Sequence, residues 1–374
     1  MAEVVESALR TMDIGATSQK VALIAGVTGI VGHALAELLL DTGGWKVYGI
    51  SRRPKDNMPK GVKYIQTDLL DREQTKSKLS PIADEVTNVF YVTWVMRESE
   101  DKNIEDNTAM LKNLLDALVP AQKLRHLNLQ TGTKHYLGPF DQLGKLPIET
   151  PFKEDMPRLP VKNFYYNLED VTFEYAGKHG FSWSVSRPLD IIGFAPGNVM
   201  NLGQGFAVYA VICKHTGRPF IFPGSKQLWD GLTDSSDSEL IAEHHLWEAT
   251  EPRAKYEIYN VVNGDVFRYK RMWRRIAQYF DIEPAEYPGH PTDMADYMKD
   301  AGPIWEEIVA KHNLKKVPVE ELAPWWFLTA TLGRPIETVN DMNKSKEHGF
   351  LGFRNTEKSF PRLFDRMREE KYIP

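Results

Sequence analysis

The chemistry available to this sequence centres on two side chains from separate segments. Lys134 lies in Gln130-Thr131-Gly132-Thr133-Lys134-His135-Tyr136, and Tyr165 in Asn163-Phe164-Tyr165-Tyr166-Asn167-Leu168-Glu169. When a tyrosine and a lysine share a helix as Tyr-x-x-x-Lys, the ammonium lowers the phenol pKa and the pair handles the proton of a carbonyl reduction. None of the 15 tyrosines here has a lysine four residues on, and the place after Tyr165 holds Glu169. A carboxylate does not ease phenol ionisation, so Tyr165 reads as a neutral hydrogen-bond donor, with Lys134 supplying positive charge from elsewhere. Together they suit a substrate oxygen that gains charge without immediate protonation. Hydride addition to the β-carbon of an enone or enal, which leaves an enolate, is such a reaction.

A hydride donor needs a seat, and Gly26-Val27-Thr28-Gly29-Ile30-Val31-Gly32 offers one. Glycines at 26, 29 and 32 allow a tight strand-to-helix turn whose N–H groups approach a pyrophosphate at the positive end of the helix. The spacing is shared with short-chain dehydrogenases and their extended relatives. The end of the second strand then chooses the cofactor, because an NAD site places Asp or Glu there for the ribose hydroxyls. Here the run is Ile50-Ser51-Arg52-Arg53-Pro54, with no carboxylate before Asp56. Two guanidiniums in that place can grip a 2′-phosphate, so NADPH is expected. Asp68, after the third strand, either hydrogen-bonds the adenine or caps a helix.

Positioning these groups requires alternating strands and helices. VALIAG (21–26) is an unbroken apolar run of the kind that forms a parallel strand covered on both faces. WKVYGI (45–50), VKYIQT (62–67), VTNVFYVTW (86–94), LRHLNLQT (124–131) and FSWSVSRP (181–188) read as further strands, with helices over 34–40, 103–118 and 164–178. The expected fold is therefore α/β, a doubly wound parallel Rossmann sheet of the extended short-chain dehydrogenase type. Beyond Pro188, helices near 199–217, 235–250 and 268–280 alternate with short strands at PFIF (219–222) and YEIYNV (256–261), and 282–340 reads as a helical lobe. The division expected is a disordered segment at 1–20, an NADPH-binding Rossmann domain at 21–195, and a mainly helical substrate-closing region at 196–374 that shares the same core. Trp94 and Met96 follow strand four at the carboxyl edge, where ligands bind in such sheets. Trp325-Trp326-Phe327 sits on a helix that turns its residues different ways, so one of them can face a pocket. Met200, Phe206 and Tyr209 are either core or pocket wall.

Composition excludes other classes. The 374 residues are 42% hydrophobic and 26% charged, enough for one large core with an appended lobe. A net charge of −5 without a Lys/Arg run argues against nucleic acid as a partner. A single cysteine, Cys213, rules out a disulfide framework and a multi-cysteine zinc site, and points to a reducing, cytoplasmic setting. His244-His245 lack ligand spacing, so no metal is read. The first twenty residues have no apolar signal core, and no stretch has membrane-spanning length without charge, so neither secretion nor a membrane is expected. Asn343-Lys344-Ser345 reads as helix rather than as a glycosylation site, and no Ser-His-Asp or GxSxG arrangement occurs.

The longest stretches resemble the plant progesterone 5β-reductase/iridoid synthase family of atypical short-chain dehydrogenases. The resemblance covers nearly all of the chain after residue 20, including GVTGIVG (26–32), WKVYGISRRP (45–54), FYVTW (90–94), LQTGTKHYLGPF (129–140), EDMPRLPVKNFYYNLED (154–170), FAVYAVICKH (206–215), SDSELIAEHHLWEA (236–249) and MNKSKEHGFLGFRN (342–355). It implies Lys134 and Tyr165 as the catalytic pair, with Tyr165 also beside the cofactor. It implies cofactor contacts from Thr28, Gly29, Ile30, Arg52, Arg53, Asp68, Leu69, Thr93, Gln130, Ile191, Asn198, Val199 and Met200. Phe140 and Phe327 would flank the substrate, a small hydrophobic enone or enal: a linear monoterpene dialdehyde such as 8-oxogeranial, whose enol then cyclises, or a Δ4-3-oxosteroid. A homodimer is also implied. Leu189-Asp190 and Gly333-Arg334-Pro335 depart from the family pattern. Two rival readings remain: an extended short-chain dehydrogenase acting as carbonyl reductase or sugar-nucleotide epimerase, which needs the missing Tyr-x-x-x-Lys, and a non-catalytic NADPH-binding protein.

Overall fold

Apolar runs that are too short for helices, bounded by glycine and polar turns, become the inner strands of one parallel sheet. In the computed structural model, which describes residues 19–198 and 200–374, the first half alternates strand and helix. It runs β1 (Lys20–Ala25), α1 (Ile30–Thr42), β2 (Trp45–Ser51), β3 (Lys63–Gln66), α2 (Arg72–Leu79), β4 (Asn88–Tyr91), α3 (Glu100–Leu118), β5 (His126–Gln130), α4 (Lys134–Leu137), α5 (Phe164–His179) and β6 (Ser182–Pro188). The second half continues with β7 (Ile191–Ile192), α6 (Leu202–Thr216), α7 (Lys226–Asp230), β8 (Ser236–Asp237), α8 (Ser238–Thr250), β9 (Glu257–Val261) and α9 (Tyr269–Phe280). Then come α10 (Met294–Tyr297), α11 (Ala301–His312), α12 (Val319–Leu322), α13 (Trp325–Leu332), α14 (Asn343–Glu347) and α15 (Thr356–Glu369). The expected segment at 1–20 lies outside the described residues except for its last two.

The sheet has seven strands in the order β3-β2-β1-β4-β5-β6-β9, and every pairing is parallel. Leu111, Leu114 and Leu115 of α3 and Phe164 and Leu168 of α5 cover one face, against Leu23, Val89 and Leu127. Leu35, Ala36 and Leu39 of α1 and Ala242 of α8 cover the other, against Ala22, Ile24, Val47 and Phe90. The chain winds outward from β1 to β3 and then crosses back to β4, so the strand order reverses between β1 and β4. A crevice opens there at the carboxyl ends, the position where such sheets bind ligands.

The edge strand β9 comes from beyond residue 195 and pairs with β6 from Ser184↔Glu257 to Pro188↔Val261, so both halves of the chain share one sheet. Behind it, α6, α9, α11, α13 and α15 close a second core around Phe206, Trp273 and Phe364. Arg366 of α15 donates to Glu37 of α1 at 2.7 Å, tying this lobe to the first helix. No helix among the described residues is long and apolar enough to cross a membrane.

Two local expectations are corrected. PFIF (219–222) forms only an isolated bridge, Phe220↔Pro284. The Trp273 ring stacks on Phe220 at 4.2 Å and its indole N–H donates to the Phe220 carbonyl at 3.0 Å. Among the described residues that carbonyl otherwise accepts only the Ala285 N–H at 3.3 Å, so it serves a side chain and a single bridge rather than a ladder. Strand β4 stops at Tyr91, and Val92-Thr93-Trp94 leave the sheet to wall the crevice. The short β7–β8 pair was not anticipated, nor was the C-terminal helix α15, although its Phe360, Leu363, Phe364 and Met367 recur at helical spacing.

Candidate active site

The glycine turn shapes one end of the crevice. Gly26 has φ +95°, and a Cβ on it would lie 2.8 Å from the Thr93 Cβ and 2.9 Å from the Val92 carbonyl oxygen. A Cβ on Gly32 would lie 2.2 Å from the Gly26 carbonyl oxygen, so Gly32 does not face the crevice but lets α1 start directly against the turn. Gly29 is the N-cap of α1 and no side chain caps it, which leaves the N–H groups of the first turn pointing at the crevice.

From this turn a cleft of about 980 Å³ runs along the carboxyl edge of the sheet. That is near the upper end of small-molecule sites, roughly 300–1,000 Å³. Its wall includes Gly26, Thr28, Gly29, Ile30, Arg52, Arg53, Asp68, Leu69, Thr93, Gln130, Ile191, Asn198 and Met200 on one side. Trp94, Met96, Lys134, Phe140, Tyr165 and Phe327 wall the other. Of the positions read from sequence, Gly32 stands behind the wall and Val199 is outside the described residues. Phe206 and Tyr209 are fully buried in the second core. Trp325 is buried and Trp326 is exposed, leaving Phe327 as the member of that triplet that faces the cleft.

Polar atoms at the glycine-turn end lack partners among the described residues. The Gln130 side-chain oxygen and the Thr67 hydroxyl are buried without a hydrogen bond. Arg52 and Arg53 are exposed, and among the described residues no carboxylate pairs with either. Lys55, which sequence reasoning missed, also lines this end, and its ammonium donates to the Pro196 carbonyl. Burial, and then the charge of Arg53, lowers its pKa. Asp71, not Asp68, is the N-cap of α2, accepting from the Gln74 N–H at 2.9 Å. Asp68 accepts from the Leu70 N–H at 3.1 Å and faces the cleft. A glycine cradle, an uncapped helix start, unpartnered acceptors and free guanidiniums together fit a dinucleotide.

At the other end, α4 and α5 bring Lys134 and Tyr165 together. The Lys134 ammonium lies 4.4 Å from the Phe164 ring centroid and 5.7 Å from that of Tyr165. The Tyr165 hydroxyl abuts the backbone at Gly132, where a Cβ would be 3.3 Å from it. Burial, and then the Glu100 carboxylate, raises the Tyr165 pKa, so the phenol stays protonated as a hydrogen-bond donor. Glu169 is no substitute for the missing lysine: it is buried, 2.9 Å from both Arg187 and Arg158. Burial alone would raise its pKa, but the His135 ring 3.6 Å away and the charge of Arg187 outweigh it and hold the group at about 2. Trp94 stacks on Phe164 at 5.1 Å and carries the apolar wall up to the pair.

The sequence profile of the PRISE-like Rossmann-fold domain matches residues 47–374. The chain belongs to this family. Its PRISE relatives include an (S)-8-oxocitronellyl enol synthase of Camptotheca acuminata, 49% identical and covering 95% of this chain and 94% of its own. A 3-oxo-Delta(4,5)-steroid 5-beta-reductase of Arabidopsis thaliana is 48% identical over the same shares of the two chains. Among solved structures, the UDP-glucose 4-epimerase of Thermotoga maritima superposes with TM-score 0.67 at 13% identity, covering 93% of this chain and 99% of that one. At that identity the likeness is one of fold: the two chains share the parallel Rossmann sheet and its flanking helices.

Two further features of this PRISE chain escaped sequence reasoning. Glu100, the first residue of α3, accepts the Lys134 ammonium on both oxygens. The two unfamiliar segments meet: Arg334 donates to Asp190 through both terminal nitrogens, at 3.0 Å for one of them, and both residues line the cleft beside Phe327. A basic residue and an acidic one, each new in its segment, was the available signal.

Proposed function

We propose that this protein is an NADPH-dependent reductase of activated enones and enals, adding hydrogen across the C=C bond next to the carbonyl. One observation carries the reading: Lys134 and Tyr165, from separate segments, converge in an apolar part of the cleft that begins at the glycine cradle. The cofactor's pyrophosphate would lie on the Gly26–Gly32 turn, and Arg52 and Arg53, with Lys55 behind them, would hold the 2′-phosphate. When bound, NADPH supplies the hydride that reaches the substrate's β-carbon.

The protein's own groups act on the substrate oxygen. Tyr165 donates a hydrogen bond to it, and the Lys134 ammonium adds positive charge as that oxygen becomes an enolate. Because the phenol is hard to ionise, it holds the oxygen without surrendering its proton, and the α-carbon takes its proton from solvent. Trp94, Phe140 and Phe327 hold the carbon skeleton and exclude water. A Tyr-x-x-x-Lys carbonyl reductase or epimerase would need an ammonium where Glu169 is tied to Arg187 and Arg158. The buried single thiol, Cys213, suits a reducing compartment such as the cytosol.

The test is to mix the protein with NADPH and, separately, a monoterpene dialdehyde and a Δ4-3-oxosteroid. The two curated relatives named above stand at nearly equal identity, so both substrates belong in it. NADPH absorbance should fall, and the product should gain two hydrogens, with the 3-oxo group of the steroid intact. Tight cofactor binding with no turnover of any enone would overturn the reading in favour of a non-catalytic protein.

A further inference from the structure

We propose that Glu100 is a positioning residue of this site: its carboxylate holds the Lys134 ammonium and the first N–H of the Tyr165 helix in one fixed arrangement. The proposal rests on the reading of Lys134 and Tyr165 as the reacting pair and asks what registers them, since 30 residues of chain separate them.

The acceptor sites of Glu100 are fully engaged. The Lys134 ammonium donates to Oε1 and Oε2, each at 2.9 Å. The Phe164 N–H, at the first position of α5, donates to Oε1 at 2.7 Å, and the Asn103 amide donates to Oε2 at 3.1 Å. An ordinary surface ion pair would join two side chains and nothing else. Here one carboxylate, with only 15% of its side chain exposed, joins an ammonium to the start of a helix whose next residue is Tyr165. Asn163 ties the same segments a second time: its side-chain oxygen accepts the Tyr165 N–H at 3.1 Å, and its amide donates to the Lys134 carbonyl at 3.0 Å. Ser99 anchors Glu100 in turn, capping α3 by accepting the Lys102 N–H at 3.2 Å.

Charge adds to geometry. The charged groups facing the phenol are Glu100 from α3 and Lys134 from α4, while the nearby Asp101–Lys162 pair is exposed. After burial, Glu100 is what raises the Tyr165 pKa. Removing its charge while keeping its shape should therefore ease ionisation of the phenol.

Two variants test this, Glu100→Gln and Glu100→Asp. Glu100→Gln can still accept from the Phe164 N–H but carries no charge. It should lower kcat roughly ten- to a hundred-fold while KM and NADPH affinity stay within about two-fold, as expected when a reacting group is misplaced. Carbon-13 NMR of labelled tyrosine, assigned with Tyr165→Phe, should show Tyr165 titrating at lower pH, and the alkaline limb of kcat should move with it. Glu100→Asp, which keeps the charge on a shorter arm, should hold the phenol titration near wild type and recover part of kcat. A folded Glu100→Gln protein with wild-type kcat, or with an unmoved Tyr165 titration, would overturn the proposal. If the wild-type protein reduces no enone, the proposed function fails, and the NMR titration still decides the role of Glu100.

Discussion

The two ends of the cleft are built by different means. The cofactor end is mostly backbone: a short contiguous turn in which missing Cβ atoms bring Gly26, Gly32 and Thr93 together and leave helix N–H groups free. The substrate end is side chains drawn from Trp94, Glu100, Lys134, Tyr165, Asp190, Phe327 and Arg334, each held by another member of the group or by a neighbouring helix. Local backbone sites depend on one stretch of sequence, whereas convergent sites depend on the whole fold. They also differ in energetics, because residues that hold one another do not contribute independently. Substitutions at the substrate end should therefore be strongly coupled, and those at the cofactor end close to additive.

The largest effect is expected at Asp190 and Arg334. Both are nearly buried, and Asp190 holds a left-handed backbone with φ 41° beneath the Arg334 fork. Removing one member of a buried pair strands the other, at a cost of about 3–5 kcal/mol. Arg334→Met alone should lower Tm sharply. The double variant Asp190→Asn/Arg334→Met should regain much of that loss, because the neutral amide leaves no stranded carboxylate at 190 and Asn tolerates the left-handed backbone there. Additive losses in the thermal unfolding cycle would break the contrast at the end where it should be strongest.

Next comes the reacting pair. On the proposed reading Tyr165→Phe removes the donor to the developing oxyanion, and should lower kcat roughly a hundred- to a thousand-fold, about 2.7–4 kcal/mol. NADPH affinity, measured by fluorescence titration, should be unchanged, since the cofactor end is left intact. In the wild-type enzyme the raised phenol pKa means that the active, protonated form persists as pH rises. The kcat profile should stay level past the ordinary tyrosine value of about 10. An alkaline limb falling near neutrality would show that Tyr165 works as an ionising acid, and would remove the distinction from Tyr-x-x-x-Lys chemistry.

This contrast also explains what could be read in advance. The glycine turn, Arg52-Arg53 and the first six strands of the sheet were legible because each is a local pattern, a spacing or an unbroken apolar run. Lys134 and Tyr165 were legible as residues, but their meeting was not, since nothing in either segment encodes the other's position. Glu100 was hidden because an acidic residue in the first turn of a helix is ordinary there for dipole reasons. Lys55 was hidden beside two arginines in what reads as a solvated loop. Asp190 and Arg334 were each noticed as unfamiliar, yet 144 residues separate them and only the fold pairs them. PFIF misled because its apolar run was read as strand when Trp273 had claimed both its ring and its carbonyl.

The smallest effect belongs to the cofactor end. Arg52 and Arg53 project from the tip of β2 into solvent at the edge of the cleft, so the grip on a 2′-phosphate proposed for them would be screened. A charge-assisted hydrogen bond is worth about 1.5–3 kcal/mol when well shielded, and exposure should bring each arginine nearer 1 kcal/mol. Arg52→Ala and Arg53→Ala should each weaken NADPH binding several-fold and leave NADH binding almost unchanged. The double variant should show the sum of the two losses. Raising the salt concentration should erase much of the difference, because the Debye length falls to about 3 Å at 1 M. A strongly non-additive loss, or equal weakening of NADH, would mean that the arginines hold the turn itself together rather than a phosphate, and that the cofactor end is as convergent as the substrate end.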